Sequence, residues 1–373
     1  MSFHFADGRK IDMAMPADMF PKPTHLRRVE LDVAAGVAQV MLPTGEAVVE
    51  LRRPGAALTE LRARRPVLYL DQNHWSTLAA VRHGHRDVRR GERDAARRLT
   101  AMVEAGELLL PVSAAHLVET TPLHGEPRIA LADTVLALGR GWQMRNPLHV
   151  RVAEIVRTVR GCEPAAAEVF APGADEFFAG RPRSATGLGE PAAELEQVMG
   201  QMPAVLGIYE ALIDPEPIVD EGGVAEKAAA GWAEDFAALA AQLRATGESA
   251  ATVRRVAHAR LLTDMTDDIV RAAQIVGTRP EAVIDRLTGA DDPVARMPFL
   301  AQMRQMLFAR LRNADGRWEA NDLIDIMFLC CASGYADVVI GERRAVSYLR
   351  QARQPPPRAH LATTLGEAGD LID

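Results

Sequence analysis

The chain has 373 residues, 48% hydrophobic and 25% charged, which suits a globular protein of one large or two ordinary domains. No apolar run reaches the length of a membrane span, and residues 1–7 lack the basic and apolar stretches of a signal peptide, so a cytoplasmic protein with no membrane attachment is expected. A net charge of −7 excludes a protein that coats nucleic acid over its whole surface, so any such contact has to be local and lined by arginine. The three cysteines, Cys162 and the adjacent Cys330 and Cys331, have neither zinc nor disulfide spacing and are expected to be small buried hydrophobes.

Residues 1–24 hold Pro16, Pro21 and Pro23 with little periodicity and are expected to be irregular. Three short alternating runs follow, 26–33, 37–42 and 47–51, separated by Ala34-Ala35-Gly36 and Pro43-Thr44-Gly45-Glu46. They predict a three-stranded antiparallel meander, an N-terminal β-rich appendage over 1–60 that ends near Pro54-Gly55.

Val67 to Leu70 is an unbroken apolar run introduced by Pro66, the pattern of a strand buried on both faces. It ends on Asp71, with a helical pattern directly after. An acid at the carboxyl end of such a strand sits where open α/β sheets bind their ligands. Residues 82–98 are rich in arginine with interspersed acids and read as a solvated helical face with a turn near Gly91; a positive rim for phosphates beside Asp71 is the sharper alternative. A second buried strand is expected over 107–112, followed by a helix through His116 and Glu119 with Ser113 at its start.

From about 127 to 312 the spacing is almost entirely helical with no fixed repeat, which predicts a helical insertion. After it come an apolar helix over 321–334, a strand over 336–340, a helix over 342–353 and a last short strand over 360–364. The expected fold class is therefore α/β: a small parallel sheet flanked by helices, split by a large all-helical insertion and preceded by the meander. The expected segments are 1–60, a first α/β half at 65–125, the insertion at 126–313 and a second half at 318–373.

Asp71, Glu119, Asp322 with Asp325, and Glu342 with Asp337 nearby fall at the ends of these elements. Gathered carboxylates repel unless a cation lies between them, and Mg2+ or Mn2+ accepts all-oxygen ligation while binding phosphate oxygens. Such ions activate water and stabilise the leaving oxygen of a phosphodiester, so the set points to metal-dependent phosphodiester hydrolysis.

The run Val67-Leu68-Tyr69-Leu70-Asp71-Gln72-Asn73, then Leu110-Pro111-Val112-Ser113 with His116 and Glu119, then Asn321-Asp322-Leu323-Ile324-Asp325 and Ala336-Asp337-Val338-Val339-Ile340-Gly341-Glu342, resembles a PIN-domain nuclease. The resemblance covers roughly 65–120 and 318–365. It implies a parallel sheet sandwiched by helices and an endoribonuclease dependent on Mg2+ or Mn2+. Asp71, Glu119 and Asp322 would bind the ion, with Glu342 or Asp337 completing the site and Asp325 an alternative to Asp322. Asn73, His74, Arg343 and Arg344 would face the substrate. The fourth position departs from the family, where Asp is usual.

Each acid also has a structural reading. Asp71 and Asp322 suit helix starts, and Glu119 suits an exposed helix face. His116 reads as a partly buried helix residue, and Trp75 as core before a base-stacking platform. Two other functions remain open: a catalytically inactive PIN-like module whose helical region binds an inhibitor, a partner protein or a second copy, and a nuclease directed at DNA.

Overall fold

The computed structural model describes residues 2–4, 10–12, 28–32, 35–42, 45–52, 65–84, 86–120, 123–162, 169–173, 177, 201, 205–213, 223–313, 316–352 and 356–372. The fold is mixed α/β, and the chain divides into two compact units. The first takes Met1–Arg145, Ala167–Glu216 and Asp373; the second takes Asn146–Ala166 and Pro217–Ile372. The expected break point at Pro54-Gly55 lies outside the described residues.

The first unit opens with a five-stranded sheet in the order β2-β1-β3-β4-β5. Its strands are β1 (Ser2–His4), β2 (Lys10–Asp12), β3 (Arg28–Asp32), β4 (Val37–Leu42) and β5 (Gly45–Glu50). The expected meander is β3 to β5, paired antiparallel with Val29 opposite Val40 and Val40 opposite Ala47. Period-two alternation places Leu31, Ala38, Val40, Leu42, Ala47 and Val49 on a buried face. The irregular N-terminus expected from the sequence is corrected: β1 lies parallel to β3, and β2 pairs antiparallel with β1. Each of these strands is only three residues long, too short to show an alternating hydrophobic pattern. Gly45 and Glu46, expected in a turn, belong to β5.

Glu50 ties this sheet to the rest of the first unit. Its carboxylate accepts from Arg65 Nη1 at 2.9 and 3.0 Å, from Arg140 Nε at 3.1 Å and from Trp142 Nε1 at 3.0 Å. Gly141, at φ 82°, packs where a Cβ would stand 2.8 Å from Glu50 O.

Next, β6 (Leu68–Leu70) is buried throughout, as its apolar run predicted. The neighbouring segment 108–112 is linked to it by a parallel bridge between Val67 and Leu109. On its other side a parallel bridge joins Val112 to Gln143 in β7 (Trp142–Met144), and β8 (Phe170–Pro172) pairs antiparallel with β7. The helices of this unit are α1 (Gln72–His83), α2 (Arg90–Glu104), α3 (Ala114–Thr120) and α4 (Glu126–Gly139). Gly91 lies within the first turn of α2 and not at a break. Trp75 is fully buried and is a core residue.

The second unit contains α5 (Pro147–Arg160), α6 (Val224–Ala245), α7 (Ala250–Asp264), α8 (Thr266–Val276), α9 (Pro280–Leu287) and α10 (Pro298–Arg312). Then come α11 (Asn321–Tyr335), β9 (Val338–Ile340), α12 (Arg343–Arg350), β10 (His360–Ala362) and α13 (Leu365–Ile372). The order from α11 to β10 matches the elements expected after residue 318, with β10 parallel to β9, and α13 is additional to them. The stretch 126–313, expected to be all helical, is corrected: it contains the paired strands β7 and β8 and is shared between the units, with α4, β7 and β8 in the first and α5 to α10 in the second.

Among the described residues no helix is long and apolar enough to cross a membrane. Cys330 and Cys331 are buried as expected, whereas Cys162 is exposed just beyond α5, correcting that reading.

Helices α10 and α11 meet at Gly334, where an added Cβ would stand 2.6 Å from both C and O of Pro298. Backbone cannot give way as a side-chain tip does. Gly334→Ala is therefore expected to cost about 1–3 kcal/mol, read as a lower urea midpoint at unchanged m-value. An unchanged midpoint would show that the contact relaxes freely.

Candidate acidic site

Around the carboxyl end of β6 the polar groups are closely matched. Ser113 N–H donates to His116 Nδ1 at 3.0 Å, so Nδ1 carries no proton. The proton is then on Nε2, which donates to Leu70 O at 2.8 Å. His116 is 1% exposed, its ring stacks on Tyr69 at 5.5 Å, and burial lowers its pKa to about 4. Both nitrogens are thus engaged in a neutral ring, which leaves neither as a metal donor and corrects the expectation of partial burial.

Tyr69 Oη and Ser113 Oγ lie 3.0 Å apart behind this ring. Gln72 Nε2 donates to Thr120 Oγ1 at 2.8 Å, and Thr120 Oγ1 donates to His116 O at 2.6 Å. These bonds fix the residues on either side of Asp71 and lay α3 across the end of β6.

Asp71 itself is half-buried and takes the N-cap position of α1, its Oδ1 accepting from Gln72 N–H at 2.8 Å. Glu119 is exposed, one residue before Thr120. Unit 1 thus brings Asp71 and Glu119 to one end of β6, through the bonded neighbours of each. Asn73 is exposed, and its carbonyl accepts from Thr77 Oγ1 at 2.9 Å. The pKa of half-buried His74 is lowered by burial, against the charge of Glu92.

In the second unit Asp322 lies in the first turn of α11 with its side chain 17% exposed. Its Oδ2 accepts from Arg310 Nη2 and from Glu319 N–H, each at 2.6 Å. Arg310 is 5% exposed, stacks 4.2 Å above Trp318 and also donates to Arg317 O at 2.7 Å. Asp325, one turn further along α11, is exposed.

Asp337 precedes β9 and Glu342 comes after it, so the strand separates them by its full length. Glu342, at the carboxyl end, occupies the position equivalent to that of Asp71 after β6; it is exposed and makes no side-chain cap bond to α12. Arg343 and Arg344 are exposed beside it, with Arg344 Nη2 donating to Arg317 O at 3.0 Å.

The expected ligands are carboxylate oxygens, the donor type suited to Mg2+ or Mn2+. Among the described residues, however, no three Asp, Glu, His or Cys side chains gather as a cation site.

The buried network at His116 and the Arg310 clamp on Asp322 were not read from the sequence. An arginine within the apolar pattern of α10, between Phe308 and Leu311, was the available signal for the second. Comparisons with protein-family models, curated proteins and solved structures gave no match to this chain.

Proposed function

We propose that the chain is a PIN-like endonuclease that uses Mg2+ or Mn2+ to hydrolyse phosphodiester bonds, with RNA as substrate. Asp71, Glu119, Asp322 and Glu342 would hold the ion, Asp322 through Oδ1. Glu342 is preferred to Asp337 because it lies at the carboxyl end of β9, and Asp325 stays an alternative donor on α11. Asn73, His74, Arg343 and Arg344 would contact the substrate. When bound, the ion would activate water and neutralise charge on the phosphate.

The observation that carries this reading is the seat of Asp71: a half-buried carboxylate ends a wholly buried strand, and a matched polar network immobilises its neighbours. A helix cap alone needs no such support. A second reading, an inactive module acting through protein binding, is favoured by the engagement of Asp322 with Arg310. A DNA-directed nuclease differs only in substrate.

Thermal unfolding with chelator and with Mn2+ tests the proposal. Wild type is expected to gain stability with Mn2+, and Asp71→Asn to lose both that gain and cleavage of RNA while keeping its chelator-state melting temperature. Wild-type cleavage in Asp71→Asn sinks the assignment. The absence of any shift in either protein favours the inactive module.

A further inference from the structure

The segment from the end of α1 into α2 carries a charge that its own contacts do not neutralise. Between residues 82 and 98 there are seven arginines against Asp87, Glu92 and Asp94, a surplus of four positive charges in a chain of net −7. Two of these acids, and Glu104 at the end of α2, already have cations. Asp94 lies 3.9 Å from Arg90, Asp87 lies 3.8 Å from Arg93, and Glu104 at the end of α2 lies 3.4 Å from Arg82. Arg86, Arg89 and Arg97 are exposed and have no carboxylate partner among the described residues.

Two contacts place this surface beside the helix that Asp71 caps. Arg86 Nη2 donates to Thr77 Oγ1 at 3.2 Å, and Thr77 is six residues, about 9 Å of helix rise, from Asp71. Helix α2 also packs against α1, and the charge of Glu92 in the first turn of α2 opposes the lowering of the pKa of His74 in the first turn of α1. The start of α2 therefore runs alongside the first turns of α1.

We infer that Arg86, Arg89 and Arg97 form a docking surface for the phosphate backbone of single-stranded nucleic acid, leading it to the carboxyl end of β6. This extends the nuclease reading, on which it rests, by assigning a binding surface outside the acidic site. Guanidinium groups suit phosphate through paired N–H donors, and a local surplus in an acidic protein attracts a polyanion to one face only. Arg86 is already oriented by Thr77, so less of its freedom is lost on binding.

The test is fluorescence anisotropy of a labelled single-stranded oligoribonucleotide with chelator present, so that docking is read without cleavage. The patch variant is Arg86→Glu/Arg89→Glu/Arg97→Glu. A control of equal charge change, Arg255→Glu/Arg271→Glu/Arg279→Glu, alters exposed arginines of the second unit. At physiological salt the patch variant is expected to bind roughly tenfold or more weakly than wild type, and its log K against log salt slope to fall by about 2. The control is expected to lose far less, and both to melt with wild type.

Equal losses in the two variants, unchanged binding by the patch variant, or no binding by wild type each overturn the inference. The nuclease reading fails on a different result, wild-type cleavage by Asp71→Asn. The two are therefore separable.

Discussion

Glu154→Ala is expected to destabilise the protein by about 3–5 kcal/mol, measured by urea unfolding at pH 6. Helix α10 begins after Met297, which has no side chain able to cap it, and Pro298 fills its first position. The N–H groups of Phe299 and Leu300 are left without intrahelical partners, as at every helix start. Glu154, reaching across from α5, supplies the missing acceptor, with Oε1 2.7 Å from Phe299 N and Oε2 3.0 Å from Leu300 N. Tyr335, the last residue of α11, donates its hydroxyl to Oε1 at 2.6 Å. One carboxylate, 1% exposed, thereby joins three helices. Alanine leaves three buried donors unmatched and a void behind them. A loss under about 1 kcal/mol would show that water takes over all three.

The same residue sets a pH dependence of definite sign. Burial raises the Glu154 pKa from 4.5 to about 7, against the opposing effect of its three donors. Between those values the folded state keeps a proton that the unfolded chain has lost. Its contribution is therefore complete below about pH 4.5 and is lost as pH rises through 7, a change of about 3 kcal/mol. His116 acts in the opposite direction: its pKa is lowered from 6.5 to about 4, so its contribution is present above 6.5 and lost as pH falls through 4. Glu154→Gln removes the first effect and leaves the second. Its stability is expected to climb more steeply from pH 4.5 to 7 than that of wild type, and parallel curves would rule out a raised pKa at this site.

Glu50→Ala is expected to cost about 3 kcal/mol, seen as a lower melting temperature and urea midpoint. Glu50 ends β5 and is the shared acceptor for Arg65, Arg140 and the indole of Trp142. Arg65 also lies over the Trp142 ring at 5.2 Å. The side chains of Arg65 and Arg140 are 17% and 20% exposed, so the substitution strands two poorly solvated cations and one indole N–H. Glu50→Gln keeps an acceptor for the indole and is expected to lose less. If alanine and glutamine cost the same, the charge of Glu50 contributes nothing to the clamp.

Much of the element order was legible because it arises from local patterning. The buried run at Leu68–Leu70, the alternation in β4 and β5 and the apolar helix at Asn321–Tyr335 each carry their own period. The candidate acids were legible as residues at the ends of such elements. Their surroundings were not. Nothing local distinguishes Asp322 bonded to a buried arginine twelve residues earlier from Asp325 exposed a turn further on. Likewise, the burial of His116 depends on Leu70, 46 residues away. The strands at Ser2–His4 and Lys10–Asp12 were missed because three residues are too few to carry a periodic signature.

By itself, then, the sequence determined the class of fold, the strand-then-helix grammar around Asp71 and around Glu342, and the local excess of arginine between residues 82 and 98. Only the tertiary structure decided how the long helical stretch is shared between two units, which acids are engaged and by what, and that Glu154 and Glu50 bind distant segments together. The physical reason is range. Hydrophobic periodicity and helix-start chemistry act over a few residues, whereas satisfying a buried polar group requires whichever partner the folded chain delivers.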